Sequence, residues 1–400
     1  MKFIDRVLAA LDKNSKDESY AVLATLLDWQ KAFNRVDHTI GVQSFIANGV
    51  RPSLIPIIIS FFQNRRMVLK WHGKMSSIKK LPASAPQGST LGILVYLSAT
   101  NNNTDNVPAE DRFKYVDDAS TLEVVNLKNI GLASHNPKAQ VSSEIPDHNQ
   151  FIPSEHLNTQ KYVEGINQWT ENNKMVLNPK KTKTTIYNFT SDHQFTTKIK
   201  LKGENIEVVD ETKLLGTIIT SDLKWRKNTE AIVKDANKRM RILHAAAKFT
   251  SNISDLKIIY YMFIRSKLEH SSVVWGSSIT QDEIDDLERI QKAAVKVITK
   301  NIYNDYEKAL ECLNMKKLSE RRTDMSLKFT KNCLKHEKVK TFFPINKRIK
   351  RTRNPEHYEV NFGRTKRYCN STIPTLQRLL NSEQIKKKSI LKHFLRRNGC

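Results

Sequence analysis

The chain has 400 residues, with 66 Lys and Arg against 41 Asp and Glu, and a formal net charge of +25. It holds 12 Gly and 12 Pro, which excludes a collagen-like or low-complexity chain. The positive charge is concentrated in residues 301–400, with 25 Lys and Arg against 9 Asp and Glu. A surplus of this size predicts a polyanionic partner, most simply nucleic acid. The alternative is a soluble protein that carries a basic tail.

The apolar pattern of the first 130 residues alternates between strand and helix. Residues 21–28 predict a buried strand, and the spacing of apolar residues from Ala32 to Phe45 predicts one helix that ends near Gly49. A second helix is predicted over residues 53–63. Two hairpins are then predicted, over residues 66–81 around His72-Gly73 and over residues 113–125 around an acidic turn.

The rest of the chain shifts from mixed to helical structure. Residues 132–157 are rich in Pro, Ser, Asn and His without periodicity, and predict an exposed loop. A helix over residues 158–173 follows, then strands at 184–189, on both sides of Lys202-Gly203, and at 214–220. From about residue 226 the pattern is mostly helical. The sequence therefore predicts an α+β fold followed by an all-helical unit.

Neither secretion nor membrane insertion is expected. The longest apolar stretch, Leu54 to Phe62, has nine residues, whereas about 20 are needed to span a bilayer. Asp5 and Arg6 interrupt the segment where a signal peptide needs apolar residues. The four cysteines form no CxxC pair, so we expect neither a disulfide framework nor a zinc site, and a reducing compartment fits.

Acidic residues at the ends of two predicted strands indicate chemistry. Asp28 directly follows the first strand, and Asp117-Asp118 occupy the turn of the second hairpin. Adjacent carboxylates repel each other unless a cation is present. Carboxylates from two strands are the arrangement that two-metal nucleotidyl transfer requires. Taken singly, each feature has an ordinary explanation, since Asp-Asp is a common solvated turn and Asp28 could cap a helix.

Five motifs in a fixed order give a specific resemblance. The chain resembles the reverse transcriptases of non-LTR retrotransposons of the jockey type. The first motif, D-x-x-K-A-F-D-x-V-x-H, is matched from Asp28 to His38, with Asn34 in place of the second Asp. The other matches are PQGSxLG at residues 86–92, a [YF]-x-D-D box at 115–118, W-x(3)-N-x-(M/L)-x-L-N-x-x-K-T at 169–182, and LG at 215–216.

This resemblance implies a fold and a domain order. The fold would be a right-hand polymerase palm, an antiparallel sheet with packed helices, followed by an all-helical thumb and a basic C-terminal extension. The implied domains are a palm with residual fingers at residues 1–222, with a loop insertion at 132–157, a thumb at 223–300 and the extension at 301–400.

The resemblance also implies an activity and its partners. The activity would be RNA-directed DNA polymerisation, in which two Mg²⁺ ions, or alternatively Mn²⁺, assist deoxynucleotide transfer onto a primer 3′-hydroxyl. The partners would be an RNA template, a DNA primer and dNTPs, and the location intracellular, in the nucleus. The basic run at residues 347–353 would be either a nuclear-import signal or a further phosphate contact.

Site residues are likewise carried over from the motifs. Asp28, Asp117 and Asp118, with the backbone carbonyl of Trp29, would bind the metal ions. Phe33 would be the sugar gate that selects deoxynucleotides, and Gln87 with Gly88 would contact the incoming nucleotide. Lys181 would lie near the pyrophosphate, either as a cation that stabilises its charge or as a general acid. Two of these have equally ordinary explanations: Phe33 as a core residue of an amphipathic helix, and Lys181 as a solvated lysine.

A basic helix face supports nucleic-acid binding independently of the motifs. Its residues recur at spacings of 7, 4, 3 and 7, and apolar residues from Ile232 to Ala247 form the opposite stripe. Such a face can follow a phosphate backbone without reading bases; a merely solvated helix is the alternative. The face consists of Lys227, Lys234, Lys238, Arg241 and Lys248.

Some features depart from the family pattern. Only 27 residues precede Asp28, where the family has a fingers region that clamps the triphosphate. We therefore expect an N-terminally truncated polymerase module. The alternatives are a catalytically silent remnant that still binds nucleic acid and, with less support, an RNA-folding role like that of intron maturases.

Overall fold

The computed structural model of the chain describes residues 1–15, 17–128, 149–190, 194–300, 302, 305–347 and 357–397. Residues 14–215 form one compact unit, and residues 1–13 with 216–400 form another. The predicted domain boundaries at residues 222 and 300 stay predictions. Most of the basic run at 347–353, and the greater part of the predicted loop at 132–157, lie outside the described residues.

The first unit is built on a five-stranded sheet with the order β13-β9-β1-β7-β6. Only β13 and β9 pair in parallel; the other three pairs are antiparallel. The α+β prediction is confirmed for this unit. The strands of this sheet are β1 (Tyr20–Leu27), β6 (Arg112–Tyr115), β7 (Asp118–Asn126), β9 (Lys183–Tyr187) and β13 (Glu207–Val208).

The described residues also form short two-stranded elements apart from this sheet. The predicted hairpin over residues 66–81 is confirmed, and the strands on both sides of Lys202-Gly203 are confirmed as well. The remaining strands of the chain are β2 (Arg66–Met67), β3 (Lys70–Trp71), β4 (Lys74–Met75), β5 (Lys79–Lys80), β8 (Asn149–Ile152), β10 (Gln194–Thr197), β11 (Lys200–Leu201), β12 (Glu204–Asn205), β14 (Glu211–Leu214) and β15 (Thr217–Thr220).

The prediction of a loop over residues 132–157 is wrong at its end. Residues 149–152 form β8, which pairs in parallel with β10, and Ser154–His156 form a 3-10 turn. The strand was missed because only Phe151 and Ile152 in it are apolar and no alternation is visible over so short a segment. The pairing with β10, more than 40 residues further along the chain, provides its hydrogen bonds.

Buried aliphatic side chains explain why β1 is central. Residues 21–24 are fully buried, as expected for a strand that has neighbours on both edges and is covered on both faces. Among its described residues, this unit has four α-helices: α2 (His38–Ala47), α3 (Ile55–Phe62), α4 (Thr90–Ala99) and α5 (Asn158–Asn172). The sheet also holds α5 directly, because the buried Glu123 carboxylate of β7 accepts hydrogen bonds from the backbone N–H groups of Asn158 and Thr159, at 2.8 and 2.6 Å.

The prediction of one helix from Ala32 to Phe45 is wrong. Residues Ala32–Arg35 form a 3-10 turn, and the α-helix begins only at His38. Asp37 causes the break, because its extended backbone leaves the helical path and its Oδ1 accepts hydrogen bonds from the N–H groups of Thr39 and Ile40 at 3.0 and 3.1 Å. An aspartate in this role is a strong helix N-cap.

The second unit is helical, as predicted for residues beyond 226. Its largest described helices surround fully buried side chains that include Leu243, Tyr260, Trp275 and Leu287. Its helices are α1 (Lys2–Leu11), α6 (Arg226–Phe249), α7 (Ile253–Ile259), α8 (Ser266–Leu268), α9 (Ser272–Trp275), α10 (Gln281–Ile298), α11 (Tyr306–Cys312), α12 (Leu318–Cys333), α13 (Glu337–Lys340), α14 (Lys366–Cys369) and α15 (Thr372–Arg397), and a π-helix spans Tyr260–Arg265.

Within the part of the chain that the structure describes, no helix is both long enough and apolar enough to cross a bilayer.

Candidate active site

The register of the sheet places three of the predicted site residues at the same end of the neighbouring strands β1, β7 and β9. Leu27 of β1 lies opposite Ala119 of β7, and Leu26 lies opposite Lys183 of β9. Extending both antiparallel registers past the end of β1 puts Asp28 beside Asp118 on one side and beside Lys181 on the other. These three residues line one cavity of about 240 Å³. The structure therefore brings together three side chains that are up to 153 positions apart in the sequence.

A tight loop after α5 fixes the end of β1. The backbone N–H of Asn178 donates to the carbonyl oxygen of Asp28 at 2.8 Å, and the N–H of Asp28 donates to Thr182 Oγ1 at 3.3 Å. Trp29 forms a backbone bridge with Leu177, and its buried ring lies edge-on to Trp169, with the ring centroids 5.9 Å apart. The fourth motif thus acts as a clamp that positions the first, which explains its residues between Trp169 and Thr182.

The Asp-Asp turn is a two-residue hairpin with a strained backbone. Tyr115 pairs with Asp118, so Val116 and Asp117 form the turn. Val116 has a φ of 56°, a conformation that β-branched residues rarely adopt. Strain of this kind persists only where the surrounding structure enforces it, and it concentrates at functional sites. The turn exposes Asp117 at the tip and places Asp118 at the start of β7.

The three carboxylates repel one another. Partial loss of water around Asp118 raises the pKa of its carboxyl group, and the charges of Asp117 and Asp28 raise it further. None of the three forms an ion pair with a basic side chain of the described residues. The three carboxylates therefore form a local cluster of negative charge, which a bound cation would relieve. The cavity that Asp28 and Asp118 line is also lined by Lys181, Lys183 and Lys213.

The donor atoms suit a hard divalent cation, although their arrangement is open. Carboxylate oxygens are the ligands that Mg²⁺ and Mn²⁺ prefer. Across the described ranges, however, no group of three Asp, Glu, His or Cys side chains is already arranged to hold a metal ion. The fit rests on the kind of donors and on their mutual repulsion.

Phe33 packs against a residue that the sequence did not indicate. Its ring stacks on Tyr96 of α4, with the centroids 4.3 Å apart and the planes 21° from parallel. Tyr96 is fully buried, and its hydroxyl has no hydrogen-bond partner among the described residues. Burial raises the pKa of Tyr96, and the nearby charges of Asp117 and Asp118 raise it further. Tyr96 therefore packs against the residue of the predicted sugar gate and lies within electrostatic range of the acidic turn. No sequence motif distinguishes it from a core aromatic residue.

The second motif forms the turn before α4. Gly88 has a φ of 84°, in the region that favours glycine. The Ser89 hydroxyl oxygen accepts a hydrogen bond from the N–H of Gly92 at 3.1 Å, so Ser89 is the N-cap of α4. Gln87 is exposed, and neither Gln87 nor Gly88 is among the described residues that line the acidic cavity.

The basic face of α6, in the other compact unit, has the predicted form. All five of its predicted basic residues, from Lys227 to Lys248, are exposed. The opposite stripe buries Ala236, Met240 and Leu243. The predicted amphipathic pattern of α6 is therefore confirmed for these residues, whereas the binding role of the basic face stays a prediction.

The chain is similar in sequence to several known proteins. No protein-family model matches the chain. It is 20% identical over 278 residues to a probable RNA-directed DNA polymerase from transposon BS of Drosophila melanogaster, a match that covers 69% of this chain and 29% of that protein. It is 21% identical over 338 residues to the RNA-directed DNA polymerase from mobile element jockey of Drosophila funebris, covering 84% of this chain and 34% of that protein.

One more sequence relative and one solved structure also match parts of the chain. The jockey polymerase of Drosophila melanogaster is 28% identical over 166 residues, covering 42% of this chain and 16% of that protein. Among solved structures, apo telomerase from Candida tropicalis matches 78% of this chain and 48% of that chain, with 12% identity and a TM-score of 0.36, too low to support an argument. The chain spans about a third of the first two relatives. It is similar in sequence to the RNA-directed DNA polymerases of jockey and other non-LTR retrotransposons, which confirms the resemblance that the ordered motifs indicated.

Proposed function

We propose that this chain is a reverse-transcriptase module that extends a DNA primer on an RNA template with dNTPs. One observation carries the proposal: the register of β1 between β7 and β9 places Asp28, Asp118 and Lys181 around one cavity. These residues belong to the motifs by which the sequence resembles the reverse transcriptases of non-LTR retrotransposons. Nuclear location belongs to the same proposal, and the basic run at residues 347–353, interpreted as a nuclear-import signal, supports it.

The proposal assigns the carboxylates to metal binding. Asp28, Asp117 and Asp118, with the carbonyl of Trp29, would hold two Mg²⁺ ions, with Mn²⁺ as the alternative. When bound, such ions activate the attacking hydroxyl and neutralise the leaving phosphate. The Lys181 ammonium group lines the same cavity and would stabilise the negative charge of the pyrophosphate.

Removing one carboxylate tests the polymerase proposal directly. We expect Asp117→Ala to lower primer extension on an RNA template by about 100-fold or more, because transition-state charge would lose its stabilisation. Glu110→Ala, which removes an exposed carboxylate elsewhere in the same unit, is the matched control. Incorporation by the wild-type chain no greater than that by Asp117→Ala would exclude polymerase activity in this chain.

Repulsion among the carboxylates makes a prediction about stability. Because the pKa of Asp118 is raised in the folded state, the folded state binds its proton more tightly than the unfolded state does. Its contribution to stability is therefore present at low pH and is lost as the pH rises through the carboxyl range. In EDTA we expect Asp118→Asn to raise the Tm by about 1–2 °C at pH 7 and to have little effect near pH 3. Thermal unfolding followed by circular dichroism measures this, and a lower Tm at pH 7 would contradict it.

The sugar gate is part of the proposal and has its own test. The stacking of Phe33 on the buried Tyr96 ring holds the Phe33 ring in place. We expect Phe33→Val to reduce discrimination against ribonucleotides by about tenfold or more, because a smaller side chain leaves room for a 2′-hydroxyl. Incorporation of each dNTP and its rNTP is compared in the two proteins. Unchanged selectivity in an active variant would refute the gate role.

A second candidate function is nucleic-acid binding without synthesis. The exposed basic face of α6 favours it, since the face is confirmed in the structure and needs no intact metal site. A row of cations along one helix can follow a phosphate backbone. This candidate differs from the first because binding would survive loss of the carboxylates.

Charge reversal on α6 tests this candidate. We expect the triple variant Lys234→Glu, Lys238→Glu, Arg241→Glu to weaken binding to an RNA–DNA duplex by tenfold or more at low salt and to flatten its salt dependence. A control variant reverses three exposed lysines of the same unit, Lys328, Lys335 and Lys338. Fluorescence anisotropy measures both. Equal effects in the two variants would mean that only overall charge matters.

A further inference from the structure

A basic hairpin in the first unit has features that the polymerase motifs do not explain. Residues 65–81 include six Lys and Arg and one His, and hold no Asp or Glu. The segment forms two short antiparallel ladders, β2 with β5 and β3 with β4. Its basic residues are Arg65, Arg66, Lys70, Lys74, Lys79 and Lys80, of which all but the half-buried Arg65 are exposed.

The base of this hairpin contains a cavity with a positive lining. The cavity measures about 230 Å³, and Phe62 and Leu81 contribute apolar walls. Its titratable lining residues are His38, Arg65, Arg66 and Lys80, and no carboxylate of the described residues lines it. A cavity of this size and charge suits a phosphate group.

The cations of this cavity are held together against their repulsion. Arg66 and Lys80 are direct cross-strand partners, an arrangement of like charges that destabilises a hairpin. Arg65 lies with its guanidinium 4.8 Å from the centre of the Phe61 ring and donates to the Phe61 carbonyl at 3.3 Å. None of the three forms an ion pair with a carboxylate among the described residues. An anion between them would replace repulsion with attraction.

The tip of the hairpin carries an exposed aromatic ring. Trp71 is 71% exposed, whereas Trp29, Trp225 and Trp275 are buried. Trp71 is the direct cross-strand partner of Lys74, so a cationic residue neighbours the exposed indole on the hairpin. Proteins bind unpaired bases through exposed aromatic rings with cations nearby, because the base stacks on the ring while the cation contacts the phosphate.

We propose that the hairpin at residues 65–81 binds a single-stranded nucleic acid, with one backbone phosphate in the cavity formed by His38, Arg65, Arg66 and Lys80 and one unpaired base stacked on Trp71. The apolar neighbours Met67, Leu69 and Met75 are exposed on the same hairpin and add contact area for bases. A single strand is favoured over a duplex, because only an unpaired base leaves both of its faces free to stack. The site goes beyond the proposed polymerase function, since binding requires neither metal nor synthesis.

Binding of the full chain to a fluorescent, unstructured 15-nucleotide RNA, without Mg²⁺, tests the phosphate contact. We expect the double variant Arg66→Gln, Lys80→Gln to weaken binding about tenfold at low salt and to reduce the slope of log K against log salt by about 0.7, the value for one phosphate contact on a single strand. The matched control, Lys335→Gln with Lys338→Gln, removes the same charge from exposed sites in the other unit. An equal loss in both variants would overturn the phosphate site.

The stacking contact has a separate test. We expect Trp71→Ala to weaken binding about tenfold, and Trp71→Phe to retain most of the affinity because a ring still stacks. Heparin, a polyanion without bases, should bind wild type and Trp71→Ala alike. Equal binding of RNA by these two proteins, or an equal effect of Trp71→Ala on single strands and on duplexes, would overturn the base contact. Tighter binding of single-stranded DNA than of RNA of the same sequence would place the primer rather than the template here.

The outcome is separable from that of the polymerase proposal. Primer extension by wild type with no binding at the hairpin would reject this site alone. Binding at the hairpin by an Asp117→Ala protein that fails to extend primers would support the site and leave the catalytic assignment to its own test. Circular dichroism of each variant confirms that these exposed substitutions leave the fold intact.

Discussion

The antiparallel register of β1 with both of its neighbours is the constraint on which the candidate site depends. The end of β1 coincides with the start of β7 and with the start of β9. A slip of one residue would turn the buried side chains of residues 21–24 toward the opposite faces and separate Asp28 from Asp118. Because those side chains are fully buried, the hydrophobic core itself fixes the register. The geometry of the acidic edge is thus a consequence of core packing.

Like charges gather in two places in the first unit. One cluster lies at the end of β1 and the start of β7 and consists of Asp28, Asp117 and Asp118. The other is a cross-strand pair of the basic hairpin, Arg66 and Lys80. Each cluster costs stability in the isolated chain, and a ligand of opposite charge would relieve that cost. Proteins retain such arrangements where binding provides the missing charge. The two clusters therefore suggest a cation at one site and a phosphate at the other, which is the combination that a nucleic-acid polymerase requires.

The clamp around β1 shows how separate motifs become one structural unit. The loop of residues 178–182 holds the backbone of Asp28 through two hydrogen bonds, and the Trp29 ring packs edge-on against Trp169. The stack of Phe33 on Tyr96 joins the first motif to α4. The buried, unpartnered Tyr96 hydroxyl is an unfavourable feature in a core, and a phenylalanine would avoid it. Its position beside the acidic turn makes it the most informative residue that no motif identified.

Local patterns determined much of this structure in advance. The apolar run of β1, the hairpins around His72-Gly73 and Val116-Asp117, helix α5 and the amphipathic α6 were all predictable, because each depends on side chains close together in sequence. The ordered motifs likewise singled out Asp28, Asp118 and Lys181, which line one cavity, whereas the roles of these residues and of Asp117 stay predictions. The prediction of one helix from Ala32 to Phe45 was wrong, because the side chain of Asp37 caps a helix that begins at His38.

What the sequence alone could not decide depends on contacts between distant segments. Strand β8 exists through its pairing with β10, and Tyr96 gains its importance only from the side chains that the fold places around it. The cavity that joins His38 to Arg66 and Lys80 likewise combines a helix and two strands. The sequence determined the residue types and most of the local conformations, whereas tertiary packing decided which groups neighbour each charge. The reason is that electrostatic and hydrogen-bonding partners are defined by distance in space.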